Sequence, residues 1–239
     1  MLRMLRAPFL LLLIPAIAVA SYAETILVPY TAFPNPEEAL KVMNVLDHCT
    51  FKHTLKEKRF NSTSKVFNYL LDRMPLTTAM MRELGLANYT VSTRPDGMMM
   101  CDDHEGVVGT LEPVYTTPEK RIIYGDGSFD APVIGKMRGE SVVVLDYVEE
   151  EPGVICNTVT VYVRVHSFLA PLMKLASPVV RGMVTRKSAT LLNASMTLSE
   201  RLWKEPGTVL DEIDECEDIT PADKEGLRKT FVADTAMKR

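Results

Sequence analysis

The chain has 239 residues, 24% of them charged, and a formal net charge of −4. A mildly acidic protein with no basic stretch is a poor partner for nucleic-acid phosphates, and the length is that of one domain able to bury a real core. The four cysteines (Cys49, Cys101, Cys156 and Cys216) include no C-x-x-C pair, which leaves a zinc ribbon or thioredoxin-type site without support.

The first residues read MLRMLRAPFLLLLIPAIAVASYA. Arg3 and Arg6 form a positive start, an apolar run from Ala7 to Ala20 follows, and both Ala18-Val19-Ala20 and Ser21-Tyr22-Ala23 offer small residues for cleavage. The run is broken by Pro8 and Pro15 and is short for a bilayer span, so residues 1–23 are expected to be a secretory signal. Its removal takes the net charge from −4 to −6. The expected location is secreted or periplasmic, where disulfides are permitted; four cysteines allow three pairings that sequence does not separate. Asn61, Asn88 and Asn193 open N-x-S/T sequons, which matter only in a eukaryotic source.

Residues 24–60 are expected to be a lead-in, extended and proline-punctuated over 24–36, with one short helix. Asn35 suits its N-cap, Pro36 its first turn, and Glu37 and Glu38 its dipole. The spacing of Val66, Phe67, Leu70, Leu71, Met80, Met81 and Leu84 predicts helix over roughly 62–85, split or kinked at Pro75 and ended at Gly85.

From about Tyr89 to Val165 the period becomes two. In "GKMRGESVVVLDYV", Met137, Val143, Leu145 and Tyr147 share a face opposite Lys136, Arg138, Glu140 and Asp146. In "NTVTVYVRVH", Val159, Val161, Val163 and Val165 alternate with Thr158, Thr160, Tyr162, Arg164 and His166. The "EEEPGV" turn joins the two strands into a hairpin with one dry and one wet face. "RIIYGDGSF" and "GVVGTLEPVY" add weaker strands, giving five to seven, all antiparallel because no crossover helix separates them. Then "HSFLAPLMKLA" suggests a short helix or connection. Ser177 as N-cap and Pro178 at the first position predict a helix to Lys204, roughly 40 Å long and substantially buried. The segment 205–239 is expected to be a solvated acidic tail ("DEIDECED") with a short helix opened by Thr220-Pro221.

Helices, an antiparallel sheet and one long C-terminal helix make an α+β plan. In this element order, and in "VTVYVRV" leading through a connection into the long helix, residues 61–204 resemble the START-like, helix-grip (SRPBCC) superfamily. The resemblance implies a curved antiparallel sheet gripping that helix over an apolar cavity for a lipid, sterol or other hydrophobic small molecule. Its lining would draw on Met98, Met100, Met137, Val143, Leu145, Tyr147, Val159, Val161, Val163, Met183 and Leu191. The 14 methionines suit an adaptable apolar site and equally an ordinary core.

The stretch "MMMCDDHEG" is the richest polar cluster. As a strand it puts Met98, Met100, Asp102 and His104 on one face and Met99, Cys101, Asp103 and Glu105 on the other. Two converging ligands do not make a metal site, and His48, His53 and His166 add no matching spacing. The preferred reading is methionines entering the core and "CDDHE" at the sheet rim. A polyketide-cyclase-like or hydrolase-like enzyme is the alternative, with Asp102, His104 and Asn157 as its catalytic candidates. No cofactor, metal or nucleic acid is expected. The expectation is thus an exported binding or transfer protein for a hydrophobic molecule, with transient membrane contact admitted.

Overall fold

The computed structural model describes residues 29–131, 135–166 and 170–232. The signal sequence expected at 1–23 lies outside them, as do residues 24–28 of the extended lead-in. A 3-10 turn at Tyr30–Ala32 precedes α1 (Pro36–Asp47), whose first turn is built as its sequence suggests. Pro36 opens the helix and the Asn35 side chain accepts the Glu37 N–H at 2.9 Å. Two short strands follow, β1 (Phe51–Thr54) and β2 (Lys58–Asn61), then α2 (Ser64–Leu71) and α3 (Met74–Glu83).

The break between α2 and α3 falls where Pro75 demands it, because proline cannot donate to the preceding turn. At the end of α3, Gly85 adopts φ +62; its N–H bonds the Arg82 carbonyl and that of Leu86 bonds Met81. This paired closure satisfies two orphan carbonyls and needs the left-handed conformation glycine tolerates.

The sheet continues with β3 (Thr90–Thr93), β4 (Met99–Asp102), β5 (Val107–Thr116), β6 (Lys120–Ala131), β7 (Gly135–Glu151) and β8 (Val154–His166). Its order is β1-β8-β7-β6-β5-β4-β3, every pairing is antiparallel, and β2 joins β1 along the same edge of β8. Among the described residues there are eight strands, against the expected five to seven. The sheet also begins at Phe51, upstream of the boundary expected at residue 61. β1 and β2 escape a periodicity search because "FKHT" and "KRFN" each carry one large apolar residue.

Helix α4 (Ala170–Lys204) lies on one face of this sheet. The result is the α+β helix-grip plan. Its 35 residues span about 50 Å, more than the expected 40 Å. Pro178 corrects the predicted start: it sits inside the helix, not at its first position. Proline's fixed φ is helical, so an interior site costs a hydrogen bond and a local clash but does not by itself end the helix.

The core has three parts. Beneath α4, Phe51, Met137, Leu145, Tyr147, Val159, Val161 and Val163 meet Val180 and Leu192. On the opposite face, Ala39, Val42 and Val45 of α1 cover Val114, Ile122, Tyr124, Val142 and Val144. The expected wet face of the hairpin is therefore dry in its middle. The α1 stripe covers Val142 and Val144 of β7, while charges such as Arg138 on β7 and Arg164 on β8 lie outside it.

The third core joins α2, α3 and the end of α4 to α5 (Pro206–Glu212), α6 (Pro221–Leu227) and a last π-helical turn, Arg228–Val232. Val209, Leu210, Ile213, Ile219 and Leu227 are buried there. The solvated-tail expectation is corrected: the acidic residues face water, but apolar residues between them anchor the segment.

Candidate functional site

Between the concave sheet face and α4 lies a cavity of about 230 Å³. Its floor comes from a glycine row. Gly109, Gly127 and Gly139 are register partners across β5, β6 and β7, with Gly125 beside them. A Cβ at Gly109 would stand 2.6 Å from the Asp126 carbonyl oxygen, and one at Gly127 2.6 Å from that of Val108. Strands this close accept only glycine. The missing side chains leave a hollow. Leu111, Phe129, Val143, Val161 and Val163 wall it, and Met183, Val184 and the stem of Lys187 roof it.

The polar boundary lies at one edge. Asp103, 4% exposed, accepts the N–H groups of Glu105 and Val107, each at 2.8 Å, and is ion-paired with Lys187. Lys187 also reaches Glu105 at 3.0 Å, and the Tyr89 hydroxyl donates to the Lys187 carbonyl at 3.3 Å. Burial pushes the Asp103 pKa up, but the Lys187 bond and the two backbone donors outweigh it and hold the carboxyl below its ordinary value. Cys101 lines the cavity; burial, then Asp103 and Asp102, push its thiol up to about 11.

Apart from the cavity lining, a buried polar network joins the helices to the sheet. Arg121, 5% exposed, donates to Asn68 Oδ1 at 2.6 Å, to Asp72 at 3.0 Å and to the Thr117 carbonyl. The Tyr147 hydroxyl donates to the same Asn68 oxygen at 2.6 Å. These bonds tie α2 to β6 and β7.

Of the residues expected to line the site, Val143, Val161, Val163 and Met183 do so. Met137, Leu145, Tyr147 and Val159 belong to the adjoining core on the same face. Three expectations are corrected. Met98 precedes β4 and is exposed, and Leu191 lies on the outer side of α4. Met100 pairs with Thr110, itself opposite Asp126, and so shares the face carrying Tyr124. Alternation gives the two faces of β4 but not which one turns inward; Cys101, opposite Gly109, is the inward residue.

The catalytic candidates do not converge. His104 (φ 54) and Asp102 sit on the exposed rim, 3.8 Å apart, with His104 Nε2 2.8 Å from the Thr90 hydroxyl. Asn157 is buried far along β8. His166 stands at the outer face, 3.0 Å from Glu140. Among the described residues no group of three His, Cys, Asp or Glu could hold a metal ion. The four cysteines are free thiols. Sequence reasoning placed Cys101 and Asp103 in the rim cluster without a role, and missed Lys187 and the glycine row. Only the glycines left a signal, as Gly109, Gly125, Gly127 and Gly139 recur within strand-like segments.

A second cleft, of about 440 Å³, lies near Tyr115, Lys120, Asp146 and Glu150. Charged and polar groups supply much of its wall, which suits water better than an apolar ligand.

No protein-family model matches the chain, and no curated protein sequence matches it. Solved structures do resemble it. The aromatase/cyclase Zhui from Streptomyces sp. R1128 is 15% identical over 66% of this chain and 99% of its own, with a TM-score of 0.46. A conserved protein from Geobacillus kaustophilus is 11% identical over 63% and 95%, TM-score 0.45. A START superfamily protein from Mycobacterium smegmatis is 11% identical over 63% and 98%, TM-score 0.41. Similarity this distant transfers no property to this chain, and the fold assignment rests on its own topology.

Proposed function

We propose that this protein binds a hydrophobic small molecule in the cavity beneath α4 and acts as a carrier rather than a catalyst. The supporting observation is the hollow itself, walled by valines, Leu111 and Phe129 and floored by glycines that cannot be replaced without moving backbone. A cavity of about 150 Å³ accommodates one benzene ring. At about 230 Å³ this one takes a compact apolar molecule or one end of a longer lipid or sterol. The rim position of Asp102 and His104, outside the hollow, favours binding over proton transfer.

The reading includes export: Arg3, Arg6 and the apolar run Ala7–Ala20 support a cleaved leader. Amino-terminal sequencing of the protein recovered outside the cytoplasm should begin after Ala20 or Ala23; an intact Met1 there would defeat this part.

The binding test is displacement of a naphthalene-type fluorescent reporter, with mass spectrometry of an organic extract of the purified protein. Met183→Trp, which fills the roof, should weaken reporter binding at least tenfold with the fold intact. Equal binding by wild type and variant would overturn the proposal.

A further inference from the structure

Ser141 interrupts the apolar inward row of β7, between Gly139 and Val143, and lines the cavity under α4. Its register partners, Gly125 on β6 and Val163 on β8, belong to the same lining. The hydroxyl leans over Gly125: a Cβ there would stand 2.8 Å from Ser141 Oγ and 3.6 Å from Leu111 Cδ2. Ser188, one turn beyond Val184 on α4, lines the cavity from the roof. Both serines are half-buried, and neither hydroxyl has a hydrogen-bond partner among the described residues. Ser195 on the same helix shows the local alternative, donating to the Leu191 carbonyl four residues back at 2.9 Å. Hydroxyls set in an apolar wall need partners, and alanine would line the hollow without that need.

We infer that Ser141 on the floor and Ser188 on the roof determine the specificity of the cavity, and that the ligand is a neutral apolar molecule carrying one ketone or hydroxyl oxygen. The inference rests on the cavity reading above. A serine hydroxyl both donates and accepts, so it serves a ketone or an alcohol, and a ketone oxygen has a lone pair for each serine. A hydrocarbon leaves both hydroxyls unmet. A carboxylate fails on charge. Among the described residues that line the cavity Lys187 is the one cation, and Asp103 and Glu105 already engage it. An anion brought into this hollow would lose water without gaining a free counter-charge.

The test compares acetophenone, isopropylbenzene and benzoate, one ring bearing three different groups, as displacers of the fluorescent reporter. The proteins are wild type, Ser141→Ala and the double variant Ser141→Ala with Ser188→Ala. Acetophenone should lose about fivefold in affinity in the single variant and about twentyfold in the double one, while isopropylbenzene stays within about twofold of wild type. Benzoate should bind wild type at least tenfold more weakly than acetophenone. Without ligand both variants should melt no lower than wild type, since neither hydroxyl has a bond to lose. A merely structural role would lower the melting point and leave the ratio of ketone to hydrocarbon affinity where it was. An unchanged ratio overturns the inference, leaves the cavity reading standing and reduces the two serines to hosts of bound water. Benzoate binding as tightly as acetophenone also overturns it. Displacement by none of the three from wild type overturns both readings.

Discussion

Asp103, in the turn after β4, is ion-paired with Lys187 of α4 at the cavity edge, with 2% of the aspartate side chain and 14% of the lysine side chain exposed. Removing one partner of a buried pair leaves the other charge poorly solvated, at a cost of about 3 kcal/mol. Asp103→Asn should therefore lower the urea midpoint and loosen the β4–β5 turn from α4. Glu105 remains near Lys187 and softens the loss.

The same pair sets a pH dependence. The folded carboxyl titrates below its ordinary value of 3.8, so the unfolded chain binds the proton more readily. The stabilisation is complete above that value and disappears as pH falls through the lower folded one. Urea midpoints of wild type and Asp103→Asn should differ most near neutrality and converge in strong acid. A constant difference down to pH 2 would show that Asp103 stabilises without its charge.

The turn between β7 and β8 offers a mechanical test. Gly153 adopts φ +83, and an added Cβ would stand 2.8 Å from the Trp203 ring. Alanine there meets backbone strain of about 1–3 kcal/mol and an aromatic wall together. Gly153→Ala should melt lower than wild type and shift the emission of Trp203, the only tryptophan in the chain. An unchanged spectrum with a lower melting point would assign the cost to backbone alone.

Much of this architecture was legible in the sequence because the signals were local and repeated. Val159, Val161, Val163 and Val165 alternate without interruption, and Asn35-Pro36 and Pro75 punctuate helices through their own backbone chemistry. What escaped depended on partners distant in the chain. Val142 and Val144 are buried only because α1, about a hundred residues earlier, lies over them. Val209 and Ile213 among the acids carry no period that distinguishes an anchored segment from a tail, and Pro178 reads locally as a helix start although the helix runs through it. At the site, the hollow arises from cross-strand glycine pairing, and register is not visible in one strand at a time.

Cys101 gives a chemical reading of cavity occupancy. It lines the cavity opposite Gly109, and burial together with Asp103 and Asp102 holds its thiol up to about 11. Alkylation requires the thiolate, so at pH 8 about one molecule in a thousand is reactive at this position. Its modification by iodoacetamide, followed by peptide mass spectrometry, should be slow at neutral pH and rise about tenfold per pH unit towards 11. Saturation with the fluorescent reporter should slow it further by covering the sulfur. Cys216, buried beyond the end of α4 in a separate core, should show no such protection and serves as the internal control. If reporter binding left Cys101 unaffected, the bound molecule would have to lie elsewhere than under α4.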